Sequence, residues 1–142
     1  MQNETNGIAE AIELAAQKGK KVAINIAPAD ERMFDYPLSK VALIIVNELE
    51  AMALSSKSSP QLAFDSLIKA YPEIDIVLTL GEEGVWSYRA KDSARKGMGS
   101  FKIDATDETA AGDSFIGYLM AMLVAGRDLH ESITLALSLI HI

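Results

Sequence analysis

The sequence predicts an α/β fold in which a mostly parallel sheet lies between helices. Three apolar runs, at 22–26, 42–46 and 75–80, are continuous rather than alternating, so each is expected as a strand buried on both faces. Segments with helical spacing of apolar residues separate those runs, which is the order of an α/β unit. With 142 residues and 49% hydrophobic content, the chain is long enough for one core and short for two.

The elements follow in order. Residues 7–18 carry apolar positions at Ile8, Ile12 and Ala15 or Ala16 and finish at Lys18-Gly19, an amphipathic helix with a glycine stop. The strand at 22–26 is broken by Ala27-Pro28. After a polar connection containing Asp35-Tyr36-Pro37, the strand at 42–46 stops at Asn47, and a helix to Leu54 begins there with oxygen-bearing side chains in its first turn. Ser55 to Pro60 is a low-complexity loop, with Ser59 as a plausible N-cap for a helix over 60–70. The third strand, at 75–80, is ended by Gly81-Glu-Glu-Gly84. Alternation at 85–88 marks one strand of a hairpin, residues 91–99 a charged turn, and 101–103 the returning strand. A helix at 111–125, stopped by Gly126, and another from Leu129 to about Ala136 close the fold.

Composition narrows the function. The net charge is −7, and Lys18, Lys20 and Lys21 form the one tight basic cluster, which argues against a nucleic-acid surface. There is no cysteine, hence no disulfide framework, thiolate metal site or cysteine nucleophile. The first residues have neither a basic region nor an apolar core, and no apolar run is long enough to span a bilayer. A soluble, cytoplasmic protein is expected.

The most informative stretch runs from Asp104 to Phe115. Its first half is polar and turn-prone, whereas Phe115, Leu119, Met122 and Leu123 fall on one helix face. Small residues at Ala110, Ala111 and Gly112 leave first-turn N–H groups uncovered, an anion site made without Lys or Arg. Asp113, beside them, is a candidate base for phosphoryl transfer. The same residues also suit a capped helix entry, with Thr109 or Asp107 as the cap and Asp113 compensating the dipole. Asn47 and Glu50, three residues apart, likewise suit either a capping box or a shared ligand-facing side of one turn.

Asp107-Glu-Thr-Ala-Ala-Gly-Asp113-Ser-Phe resembles the second signature of the ribokinase (PfkB) family of sugar kinases. Gln2-Asn-Glu4, Asn25-Ile-Ala-Pro-Ala29, Asn47-Glu-Leu-Glu50 and Thr79-Leu-Gly-Glu-Glu-Gly84 occur in that family's order, so the likeness runs along essentially the whole chain. Val46 stands where the family usually has proline.

The resemblance implies part of a ribokinase-like three-layer sandwich and ATP-dependent phosphorylation of a sugar hydroxyl, ribose being favoured by the Asn25 segment. It assigns Asp113 as catalytic base and sugar contact, and the amides of Ala110, Ala111, Gly112 and Asp113 as an anion hole. Asn47, Thr79, Gly81 and Gly84 would bind ATP, and Glu50 would hold Mg2+ through water. Asp107 and Thr109 would hold a monovalent cation, K+ in potassium-activated members, and Glu4 would contact the sugar. The implied partners are ATP and a small sugar, with a homodimer for the full-length protein. A fructose or nucleoside kinase, and a noncatalytic nucleotide- or sugar-binding remnant, are the rival readings. By the same resemblance residues 1–136 form the C-terminal nucleotide-binding part of a kinase domain, truncated at both ends, with the sugar-binding half upstream. Residues 137–142 match a one-frame translation of a transposase sequencing-adapter end and are set apart from that domain.

Overall fold

In the computed structural model, which describes residues 1, 6–99 and 108–140, the three continuous apolar runs pair as expected. β1 (Ala23–Asn25), β2 (Leu43–Asn47) and β3 (Asp75–Thr79) are parallel neighbours, with Ile24 opposite Ile44 and Ile44 opposite Ile76. β4 (Val85–Arg89) returns antiparallel to β3, and β5 (Ala94–Met98) antiparallel to β4, giving the order β1-β2-β3-β4-β5.

Both faces of the sheet are covered, which is why its central strands are apolar throughout. Ile24, Ile26, Ile44, Val46, Ile76 and Leu78 face one side, where α1 (Ile8–Gln17), α2 (Glu48–Ser55) and α3 (Pro60–Ala70) pack through Ile12, Ala51, Phe64 and Leu67. Leu43, Ile45, Val77 and Val85 face the other, under Phe115 and Leu119 of α4 (Glu108–Val124) and Ile133 and Leu137 of α5 (Leu129–Leu139). This is a three-layer α/β sandwich of the kind the sequence predicts.

The helix ends follow their sequence signals. Ser59 caps α3 by accepting from the Leu62 amide at 3.3 Å, with Pro60 in the first turn. Asp128 caps α5 through the His130 amide and also accepts from Arg89 Nη1 at 2.6 and 2.7 Å, tying α5 to the end of β4. Partial burial would raise the Asp128 carboxyl, but hydrogen bonds from Arg89, Lys91 and the His130 amide outweigh it and hold the group well below the usual carboxylate range. His130 itself is buried, and its Nε2 is without a hydrogen-bond partner among the described residues.

Three elements differ from the sequence expectation. The strand that pairs with β4 lies at Ala94–Met98, inside the stretch expected to turn, and residues 101–103, expected as that strand, lie outside the described residues. β5 has no apolar alternation because it is an edge strand with Arg95, Lys96 and Gly97 exposed, and charge on an edge guards it against further pairing. Gly97 lies opposite Trp86, whose ring sits 3.4 Å from where a Cβ would project. α4 starts at Glu108 rather than near Ala111, since glutamate and alanine are strong helix formers and an acid is favoured in a first turn. α5 runs to Leu139 rather than about Ala136, with Leu137 in the core at 5% exposure, whereas His141 and Ile142 lie outside the described residues.

Candidate functional site

The parallel strands end on polar residues. Asn47 closes β2, Thr79 closes β3, and the register sets these two side by side and continues the row through Val85 and Met98. Strand alternation puts Asn47 and Thr79 on the face shared by Ile45, Val77 and Val85, which is the face that α4 covers. β5 runs in the direction of β1–β3 because it is antiparallel to a strand that is itself antiparallel, so it ends at the same edge. Ligands of open α/β sheets bind outside the carboxyl ends of the strands, and this is that edge.

Local chemistry explains how each candidate is held. Asn47 is extended at the end of β2 and becomes the N-cap of α2, its Oδ1 accepting from the Glu50 amide at 2.9 Å. The Asn47 amide in turn donates to Glu50 Oε2 at 2.8 Å, completing a capping box. Glu50 is 5% exposed, and burial raises its carboxyl above the usual value, with the hydrogen bond from the Asn47 amide opposing. Among the described residues no hydrogen bond reaches its other oxygen, so one carboxylate oxygen is left for a water or a hydrated cation.

At the end of β3, Thr79 Oγ1 lies 3.5 Å from the Val46 carbonyl, a long contact that links β3 to β2. The turn from Gly81 to Gly84 then places both glycines at positive φ. Gly81 has φ +54° and Gly84 has φ +101° with ψ −131°, a conformation open essentially to glycine alone. Leu80 donates to the Gly84 carbonyl at 2.8 Å, which folds the turn back and leaves Gly81 exposed at the edge.

α4 presents Gly112 and Asp113 as exposed residues two turns above the core residue Leu119. A Cβ added to Gly112 would meet nothing within 4 Å, and its φ is not positive, so neither packing nor backbone geometry among the described residues asks for glycine. Because the helix begins at Glu108, the Gly112 and Asp113 amides lie opposite the Glu108 and Thr109 carbonyls in the helical ladder. Ala110 is among the first three residues, whose amides have no such partner. Of the four residues assigned to an anion hole, three therefore lie deeper in the helix than the sequence suggests.

The fold thus brings Asn47, Glu50, Thr79, Gly81 and Gly84 to one edge, and α4 covers the sheet face on which Asn47 and Thr79 lie. Glu4 and Asp107 lie outside the described residues, as does the Thr109 side chain. Among the described residues no group of three or more His, Cys, Asp and Glu side chains is arranged to hold a metal ion, and no helix is long and apolar enough to cross a membrane. One polar residue at this edge is missed when its segment is read only as a family marker. Asn25 ends β1 as Asn47 and Thr79 end the next two strands, and that repetition is visible in the sequence.

The architecture and this row of polar strand ends put the chain in the class of open α/β proteins that take their ligands at the carboxyl edge of the sheet. More narrowly, the chain belongs to the pfkB family of carbohydrate kinases, whose family model matches residues 3–139. It is 34% identical to a ribokinase from Haemophilus influenzae, over 94% of this chain and 44% of that protein. It is 30% identical to an adenosine kinase from Schizophyllum commune, over 91% of this chain and 44% of that one. An Arabidopsis thaliana ribokinase solved with ribose and ATP superposes with a TM-score of 0.83 over 99% of this chain and 47% of its own, and at 17% identity that match speaks to the fold alone. The chain spans less than half the length of these relatives.

Proposed function

We propose that this chain is the nucleotide-binding part of an ATP-dependent kinase that phosphorylates a sugar hydroxyl, with ribose as the favoured acceptor. The observation that carries the reading is the exposed Gly112-Asp113 pair on α4, the helix that covers the sheet face on which the polar strand ends Asn47 and Thr79 lie, Gly112 being a helix glycine without an internal reason among the described residues. Gly117 of the same helix is as open, so it is the adjoining exposed Asp113 that marks Gly112 as a place where an outside group could approach the backbone closely. Membership of the pfkB family and likeness to a ribokinase support phosphoryl transfer to a sugar.

In this reading Asp113 accepts the proton of the attacking hydroxyl as the oxygen bonds to the γ-phosphorus and the bond to the leaving ADP oxygen breaks. The amides of Ala110, Ala111, Gly112 and Asp113 stabilise the charge on the transferred group. That requires α4 to open at its first turn when the nucleotide binds, freeing the Gly112 and Asp113 amides. Thr79 and Gly81 flank the nucleotide phosphates, with Gly84 shaping the turn and Asn47 beside them. The free oxygen of Glu50 would hold a water of a magnesium ion, which neutralises phosphate charge when bound. Asp107 and Thr109 are proposed for a monovalent cation and Glu4 for a sugar hydroxyl.

The test is Asp113→Asn in the complete kinase carrying this segment. Sugar-dependent ATP consumption is expected to fall by roughly 10²- to 10⁴-fold, the usual worth of a general base, while nucleotide affinity stays within about twofold. Loss of both together, or of neither, overturns the role of Asp113. The adenosine kinase relative keeps a nucleoside acceptor as the second reading, and a panel of ribose, fructose and adenosine separates the two by their kcat/KM values.

A further inference from the structure

Asn25 is 8% exposed, yet among the described residues nothing hydrogen-bonds its carboxamide. Its backbone amide is taken, donating to the Met1 carbonyl at 2.8 Å. The flanking Ile24 and Ile26 are fully buried against α1–α3, so alternation turns Asn25 to the opposite face, the one under α4. Its carboxamide atoms keep some contact with solvent, since the fully buried side-chain atoms without a partner among the described residues are His130 Nε2 and Ser132 Oγ. Its neighbours on that face, Ala23 and Ile45, are apolar, so the carboxamide is the exception there.

The strand ends around it give that polarity a purpose. Asn25 lies opposite Ile45, two residues inward of Asn47 on the adjacent strand. With strands about 4.8 Å apart and a rise of about 3.3 Å per residue, the two asparagine Cα atoms are roughly 8 Å apart on one face. Two carboxamides at that separation can reach a single tetrahedral group between them. Thr79 lies one strand further along the same row, on the side of the glycine turn.

We infer that Asn25 is a positioning residue for phosphoryl transfer, its side-chain N–H groups donating to oxygens of the γ-phosphoryl group from the side opposite Thr79 and Gly81. The inference rests on the kinase reading given above. It adds a neutral donor that orients the transferred group without holding the rest of the nucleotide, so its removal acts on turnover and not on ADP binding.

The experiment uses Asn25→Ala and the isosteric Asn25→Asp in the complete kinase, with steady-state kinetics and binding of ADP and of a nonhydrolysable ATP analogue. The expected result is a kcat 10- to 100-fold lower in Asn25→Ala and lower still in Asn25→Asp, where a carboxylate faces phosphoryl oxygens. KM for the sugar should stay within about threefold, ADP binding should be unchanged and the analogue should bind several-fold more weakly. A lowered melting temperature with kcat intact overturns the inference in favour of a packing role, and equal weakening of ADP and analogue overturns it in favour of general nucleotide binding. The same-sized Asn25→Asp keeps the test open if Asn25→Ala folds poorly. Wild-type turnover is read first. An active wild type with unaffected Asn25 variants sinks this inference alone, whereas a wild type without sugar-dependent ATP consumption sinks the kinase reading, and the comparison of ADP with analogue still decides whether Asn25 meets a γ-phosphoryl group.

Discussion

Glu50 shows how one side chain is asked for two things. The capping box needs only an acceptor for the Asn47 amide, which a glutamine oxygen provides equally well. The charge is an expense, because burial raises the carboxyl above its usual value and so disfavours the ionised form in the folded state. For such a group the stabilising contribution is present below the unfolded pKa and is lost as pH rises through the higher folded one. Glu50→Gln is therefore expected to be at least as stable as the wild type near neutral pH and to lack the loss of stability that the wild type shows as pH rises above the ordinary glutamate range, checked by denaturant melts across a pH series. Glu50→Ala, which removes the acceptor too, should cost roughly 1 kcal/mol or somewhat more. If Glu50 serves a hydrated cation, Glu50→Gln will lose kinase turnover without losing stability. A glutamine variant that is less stable at neutral pH would show that the ionised form is wanted by the fold. The Asn47 and Glu50 spacing was legible as either cap or ligand pair, and the sequence could not choose because both uses put the two side chains on the same turn.

Elements were legible where periodicity carried them and obscure where it did not. α3 begins and ends where Ser59-Pro60 and the apolar spacing put it, and β2 and β3 announce their burial by unbroken runs of aliphatic residues. β5 escaped because its five residues are mostly exposed and polar, held by backbone pairing to β4 and by Trp86 over Gly97, neither of which leaves a hydrophobic pattern. The start of α4 was misplaced for a related reason. Ala110, Ala111 and Gly112 suggested an uncovered helix end, yet alanine propagates a helix as readily as it uncovers one. That ambiguity is itself testable. Gly112→Ala places a methyl group in open space on an exposed helix position, so it should stabilise the fold by about 0.5–1 kcal/mol, the propensity difference. If the anion hole requires the first turn to open and a phosphoryl group to approach this backbone closely, the same variant will lower kcat even as its melting temperature rises. A variant both more stable and fully active would separate Gly112 from the chemistry.

At the scale of the molecule, the described residues already close a core on both faces of the sheet, with Ile12, Ile24, Ile44, Ile76, Leu119 and Ile133 at 0% exposure. The relatives of this chain are larger than that core. The chain covers 44% of the Haemophilus influenzae ribokinase, so more than half of that relative's length has no counterpart here. In the proposed reading the edge assembled from Asn47, Thr79 and Gly81 would supply contacts for a nucleotide, whereas the one residue assigned to sugar alone is Glu4. Exposed apolar side chains at Leu49, Phe34 and Val124, at 72%, 59% and 84% exposure, lie outside the core and mark surface that a larger protein could use. The 142-residue chain by itself is therefore expected to melt cooperatively and yet to release no ADP above background when given ATP, magnesium and ribose. A coupled assay for ADP on the purified chain, read beside its thermal melt, checks both halves of that expectation. A folded chain without turnover agrees with the assignment of the acceptor site to residues beyond these. Turnover that depends on ribose would mean that the edge of this sheet and the start of α4 bind the sugar unaided, and the division of labour proposed for the whole kinase would then be wrong.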